Sequence, residues 1–148
     1  MNEDLFDQLL SSQQVVAAML RVAAEDPSAR VGAWNVRDLA GHLAATERDC
    51  YEPRIHAIAA RERPVFDYFT NEATDFSDVE VEDALEEWRA TRARLIDFVK
   101  TLTEDQHRLT GRHEKYGDVR VEDYLAIALD HDRDHLNALE RLAGRVAR

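Results

Sequence analysis

Two histidines four residues apart, His131 and His135, lie in the stretch Asp130-His131-Asp132-Arg133-Asp134-His135 near the end of the chain. On an α-helix this spacing puts both rings on one face, one turn apart, with Cβ atoms roughly 5–6 Å from each other. Two imidazoles so placed reach one metal ion, at about 2.0–2.1 Å each if the ion is zinc. Two ligands do not complete a site, so a third must come from elsewhere. The spacing also matches the His-Glu-x-x-His of zincin helices. That reading fails because Asp132 is one methylene shorter than the glutamate base and no histidine follows His135.

The elements that must position these rings are helices. Five glycines and three prolines are few for a chain rich in tight turns. Leu5, Phe6, Leu9, Leu10, Val16, Ala17, Leu20 and Ala23 recur at three- and four-residue steps, which predicts an amphipathic helix from about Glu3 to Ala24. Pro27 ends it. Asn35 is an expected N-cap for a second helix, with Val36, Leu39, Ala40, Leu43, Thr46 and Cys50 as its apolar stripe. Pro53 should kink that helix or end its first segment before it resumes to about Ala60. Residues 61–77 have no helical period and are rich in aromatic side chains. So long a connection is unusual between antiparallel neighbours, so helices two and three are expected to run parallel.

Ser77 or Asp78 is expected to cap the third helix, whose seam is Val81, Leu85, Trp88, Leu95, Val99 and Leu102, with Arg92 where an apolar residue belongs. Thr103 to Gln106 reads as a cap and a short extra turn, and residues 110–120 as a polar loop. The last helix runs from about Val121 to Gly144, its inward face carrying Tyr124, Leu125, Ala128, His131, His135, Leu139 and Leu142. The expected architecture is an all-α four-helix bundle, a single domain over residues 1–148, with a long crossover between helices two and three.

Depth within this bundle selects the third ligand. His42 faces the core side beside Leu39, Leu43 and Thr46. Its depth differs from that of the pair by only about one turn at 1.5 Å per residue. His56 lies two or more turns further along, between Arg54 and Arg61. His107 and His113 fall in the connection before the last helix. Three histidines without a protein anion leave coordination positions open, the pattern of catalytic sites rather than closed structural ones. The alternative is three buried, hydrogen-bonded core histidines, which would leave several imidazole nitrogens unpaired at about 1–3 kcal/mol each.

Composition bounds the partners. The 148 residues carry a formal net charge of −11, which repels phosphate backbones and disfavours nucleic acid as a partner. No apolar run approaches the roughly 18–20 residues that span a bilayer. The acidic start lacks the basic region of a signal peptide, and the single Cys50 excludes an intrachain disulfide. Together these favour the cytoplasm.

Three blocks then carry a resemblance: Trp34-Asn35-Val36-Arg37-Asp38-Leu39-Ala40-Gly41-His42-Leu43 followed by Glu47; His113-Glu114-Lys115-Tyr116-Gly117; and His131-Asp132-Arg133-Asp134-His135-Leu136. In this order and spacing the chain resembles the DinB/YfiT-like superfamily of damage-inducible helical bundles, from about Leu5 to Leu142. The resemblance implies a four-helix bundle with a long crossover, one divalent metal (zinc, nickel, iron, copper or manganese) held by His42, His131 and His135, and a homodimer. It departs from the family at Glu114, where a proline is usual, and at Arg120, where a threonine usually opens the last helix.

An open three-histidine metal acidifies bound nucleophiles and polarises substrates. Relatives of the resembled family include thiol-dependent S-transferases and hydrolases. The expected function is therefore a metal-dependent enzyme acting on a small molecule or a low-molecular-weight thiol adduct, in stress or detoxification. The competing reading is a non-catalytic metal- or ligand-binding bundle. Candidate catalytic helpers are Glu47, Arg92 and His113, and candidate substrate contacts are Tyr51 and Tyr116. Each has a plainer role: Glu47 as a surface or ion-pair residue, Arg92 as the partner of a core carboxylate, His113 as a solvated loop residue, the tyrosines as packing. Cys50 reads as a small buried hydrophobe.

Overall fold

In the computed structural model, which describes residues 1–146, the periodic segments become helices. They are α1 (Asp4–Ala23), α2 (Val36–Thr46), α3 (Glu52–Ala59), α4 (Val81–Lys100), the short α5 (Glu104–Arg108) and α6 (Val121–Val146). A π-helical turn, Glu47–Tyr51, joins α2 to α3, so the second long helix is one rod with a widened turn. Pro53 cannot donate to a carbonyl one turn back, and the α geometry gives way ahead of it, as expected from the sequence. Asn35 caps α2, its Oδ1 accepting from the Asp38 amide at 2.7 Å. Thr103 and Gln106 form a capping box on α5.

Contacts along the rods give the topology. Arg48 meets Glu87, Glu52 meets Arg94, and His56 stacks on Phe98, so the α2–α3 rod and α4 run parallel. The Asn2 amide donates to Glu122 and the Ser12 hydroxyl to Asp132, so α1 and α6 also run parallel. Gln13 reaches the Trp88 carbonyl while Arg92 reaches that of Leu9, so the two parallel pairs oppose each other.

The core falls into two apolar clusters. One gathers Leu5, Leu9, Ile55, Leu95 and Leu125; the other Val16, Leu20, Leu39, Leu85 and Leu139. Between them every long rod contributes a polar residue: Ser12 and Gln13 from α1, Glu47, Arg92 from α4 and Asp132 from α6.

Two expectations are corrected. Residues 110–120 are not a polar loop but a hairpin, β4 (Gly111–His113) and β5 (Gly117–Val119), turning at Gly117 with φ +73. The crossover, without helical period as expected, adds a strand to this hairpin: β3 (Val65–Phe66) pairs parallel with β4. The Glu114 amide extends this ladder by donating to the Phe66 carbonyl at 3.0 Å, a bond that a proline at position 114 would forbid. A second small ribbon, β1 (Arg30–Val31) with β2 (Trp34–Asn35), precedes α2. Strands this short carry no period-two signal, which is why the sequence does not announce them. Finally, neither Ser77 nor Asp78 caps α4. Asp75 accepts from the Ser77 amide at 2.9 Å and Val79 bonds back to Phe76, so this stretch closes as turns and α4 begins at Val81.

The crossover is pinned beside His42. A Cβ at Gly41 would lie 2.6 Å from the Phe76 ring, so the bare glycine lets the crossover lie directly on α2. No helix of the described residues is long and apolar enough to cross a membrane.

Candidate metal centre

His42, on the second turn of α2, and His131 and His135, one turn apart on α6, converge across the antiparallel seam between the rods. His42 Nε2 lies 3.1 Å from His131 Nε2, which is 3.0 Å from His135 Nε2. One candidate ligand atom from each ring falls within 4.8 Å of the other two. Nitrogens about 2.0–2.1 Å from a common ion stand at about this separation from one another. The structure thus brings together the three histidines that the sequence singled out, with rings drawn from segments far apart in the chain.

The surroundings suit neutral, ligating imidazoles. Asn71 Nδ2 donates to the Thr46 hydroxyl at 3.1 Å, which turns its Oδ1 toward His42 Nδ1 at 2.6 Å. The His42 proton therefore sits on Nδ1, and the Nε2 lone pair faces the other two rings. Orientation of a ligand by a bond to its second nitrogen is the usual support around a metal. Trp34 stacks on the His42 ring with centroids 4.5 Å apart and fixes its plane. Burial lowers the pKa of all three rings: His131 to about 3, helped by His135, His42 and Arg92; His135 to about 4, helped by His42; and His42 in the same direction, against the Asn71 bond. All three are neutral near pH 7, as ligation requires.

The rings open into a cleft of about 420 Å³. Its walls come from the π-helical turn (Cys50, Tyr51), the crossover (Tyr68 to Glu72), the hairpin (His113, Lys115, Tyr116) and α6. The hairpin and crossover thus supply a rim that the four rods alone would lack. Tyr51 stands edge-on to His131 at 6.1 Å between centroids. Burial and the negative charge of Glu47 push its hydroxyl pKa well above the usual tyrosine range, so the group stays protonated. Tyr116, 49 % exposed, covers His113 at the rim. Cys50 is buried with Sγ 3.8 Å from the Tyr124 hydroxyl, and burial raises its pKa, in keeping with a packing role.

His113 is not solvated, contrary to the reading of residues 110–120 as a loop. It is 5 % exposed, because pairing of β3 with β4 turns it inward. Its Nδ1 accepts from the Lys115 amide at 3.0 Å, which leaves the proton on Nε2. Burial and the Arg54 charge lower its pKa, so it is a neutral donor beside the cleft.

Glu47 and Arg92 do not line the cleft. They sit behind it, each 1 % exposed, in the polar layer between the two cores. Arg92 grips Glu47 through Nε and Nη2, both at 2.9 Å, and reaches Asp132 through Nη1 at 2.5 Å. Trp88 Nε1 donates to Glu47, and Ser12 to Asp132. Burial alone would lower the Arg92 pKa, but the two carboxylates more than offset it and the guanidinium stays charged. This is the buried carboxylate pairing expected of a seam arginine, and it is also the ion-pair role weighed for Glu47. Asp132 faces away from the cleft while His131 beside it faces in, because consecutive helical residues point about 100° apart.

A family model for the DinB superfamily matches residues 3–139. The chain belongs to the DinB superfamily. This DinB protein also shares its fold with YfiT from Bacillus subtilis, described as a probable metal-dependent hydrolase with an unusual four-helix bundle topology. The TM-score is 0.78 at 21 % identity, covering 99 % of this chain and 90 % of that one. At that identity the likeness is one of fold. No curated protein matches the sequence.

Sequence reasoning missed Asn71, which lies in a stretch without period, and its contact with His42 exists only once the crossover folds over α2. It read Tyr124 as core alone, although its hydroxyl accepts from Arg54 at 2.9 Å beside the cleft.

Proposed function

We propose that this protein is a metal-dependent enzyme acting on a small molecule, as a hydrolase or a thiol-dependent S-transferase. The observation that carries the reading is the convergence of three neutral imidazoles at the floor of an open cleft, with His131 Nε2 3.1 Å from His42 Nε2 and 3.0 Å from His135 Nε2. His42, His131 and His135 would hold one divalent ion. Such an ion supplies Lewis acidity, which acidifies a water or thiol nucleophile and polarises a substrate carbonyl. The description of YfiT as a probable metal-dependent hydrolase supports this direction.

The remaining work falls to the chain itself. The protonated Tyr51 hydroxyl donates a hydrogen bond to a ligand lying over His131. His113 Nε2–H donates from the opposite wall, and Tyr116 shields the ligand from bulk water. Arg54 and Lys115 attract anionic substrate groups at the rim. Glu47 and Arg92 act as framework, holding the π-helical turn and α6 at fixed spacing. A closed, non-catalytic metal binder would not need a cleft of this size. The family resemblance also supports a homodimer, which sedimentation velocity tests.

The decisive experiment is elemental analysis of purified wild type and of the His42→Ala, His131→Ala and His135→Ala variants. Wild type is expected to hold about one equivalent of a divalent metal and each variant far less. Equal metal content in all four sinks the reading. Metal-loaded protein is then assayed against small esters, amides and thiol adducts, with the same variants as controls.

A further inference from the structure

A second cavity, of about 320 Å³, opens on the far side of the hairpin and is lined by Arg61, Arg63, Arg108 and Arg112. Asp118 is the one carboxylate among the described residues that joins them. In a chain of net charge −11, four guanidiniums from three separate segments have been gathered against the overall field. Arg108 pairs with Asp105, and Arg112 with Asp118 at 3.2 Å. Arg61 and Arg63 make no ion pair among the described residues.

The backbone at this pair is unusual. Arg61 has φ 61 and Arg63 φ 52, the left-handed region that side chains with a Cβ rarely adopt. Arg61 follows the C-cap of α3: its amide bonds to Ile58 and that of Glu62 to Ala57, the Schellman pattern in which glycine is the usual occupant of the Arg61 position. Packing does not call for a large side chain there, since both arginines are exposed. Strained backbone of this kind clusters at ligand clamps and active sites.

We propose that this cavity binds a small phosphorylated anion carrying at least two negative charges. Guanidinium forks match phosphate oxygens in pairs, and several around one cavity neutralise a multiply charged group. The acidic remainder of the surface repels an extended polyanion, so the ligand is compact. Val65, 79 % exposed, and Leu109 give the cavity an apolar side where an organic portion can rest. Along β4 the side chains alternate, so Arg112 faces this cavity while His113 faces the three-histidine cleft. The anion site is therefore separate from the metal centre and does not depend on the reading of that centre.

Calorimetric titration of the full-length protein with inorganic pyrophosphate, ADP and citrate tests the proposal. Wild type should bind pyrophosphate saturably, more weakly as NaCl is raised. The Arg61→Gly/Arg63→Gly variant should bind about tenfold more weakly or not at all. Its melting temperature should be unchanged or higher, because glycine relieves both left-handed positions. His42→Ala should bind like wild type. Tighter binding of ADP assigns the organic portion to the apolar side, and equal binding assigns the site to the inorganic group; both support a phosphate site. No saturable pyrophosphate binding, equal affinity in the double glycine variant, loss of binding in His42→Ala, or preference for citrate would each overturn it.

Discussion

Asn71 decides which nitrogen of His42 carries the proton, and that decides whether Nε2 can ligate at all. Asn71→Ala is therefore expected to weaken metal affinity by about 10–100-fold with the fold intact, read by competition with a chromophoric chelator. The depressed pKa values of His131 and His135 have their own consequence. In the unfolded chain both rings protonate near 6.5; in the metal-free fold they do so only near 3 and near 4. Below about pH 6.5 the unfolded state holds more protons, so this contribution to stability is complete above that pH. It is lost as pH falls toward 4 and below, at a slope of up to about 1.4 kcal/mol per unit for each ring. Denaturant unfolding of metal-free protein at about pH 7 and 5 measures it. A His131→Gln/His135→Gln variant should lose this part of the slope.

Among the elements, the polar layer does what no single helix could. Arg92 occupies a seam position where the period of α4 calls for a hydrophobe, and this was visible from the sequence; its partners were not. Glu47 lies 45 residues away on a widened turn and Asp132 lies 40 away on α6, so only packing brings them together. Arg92→Met would leave two buried carboxylates without their cation, at about 3–5 kcal/mol. The expected result is a melting temperature lower by about 10 °C, with one metal equivalent retained in the folded fraction, because the layer stands outside the cleft. Gly41→Ala tests the crossover in the same way. The added methyl meets the Phe76 ring, so the crossover must shift, and stability falls by about 1–3 kcal/mol together with metal affinity. Normal affinity in that variant would show that the crossover is not what holds Asn71 against His42.

At the scale of the whole molecule, the ligands bridge the two parallel pairs, since α2 packs on α4 while α6 packs on α1. An ion held by His42, His131 and His135 therefore clamps the halves together. At a free concentration about 100 times its Kd, a metal should stabilise the fold by about 2.7 kcal/mol, a rise of about 5–10 °C in melting temperature. A chelator should reverse the rise, and His42→Ala should abolish it. The four rods, their lengths, the Asn35 cap and the three histidines were legible in the residues, because helical period and i, i+4 spacing are local properties of a chain. The crossover was legible too, because residues 61–77 break the helical period for longer than a tight connection needs. Which residue orients His42, where Arg92 finds its carboxylates, that His113 turns inward on a strand, and that four arginines share one cavity were decided only by the tertiary structure. Each depends on residues distant in sequence meeting at a few ångströms, and no local pattern encodes that distance.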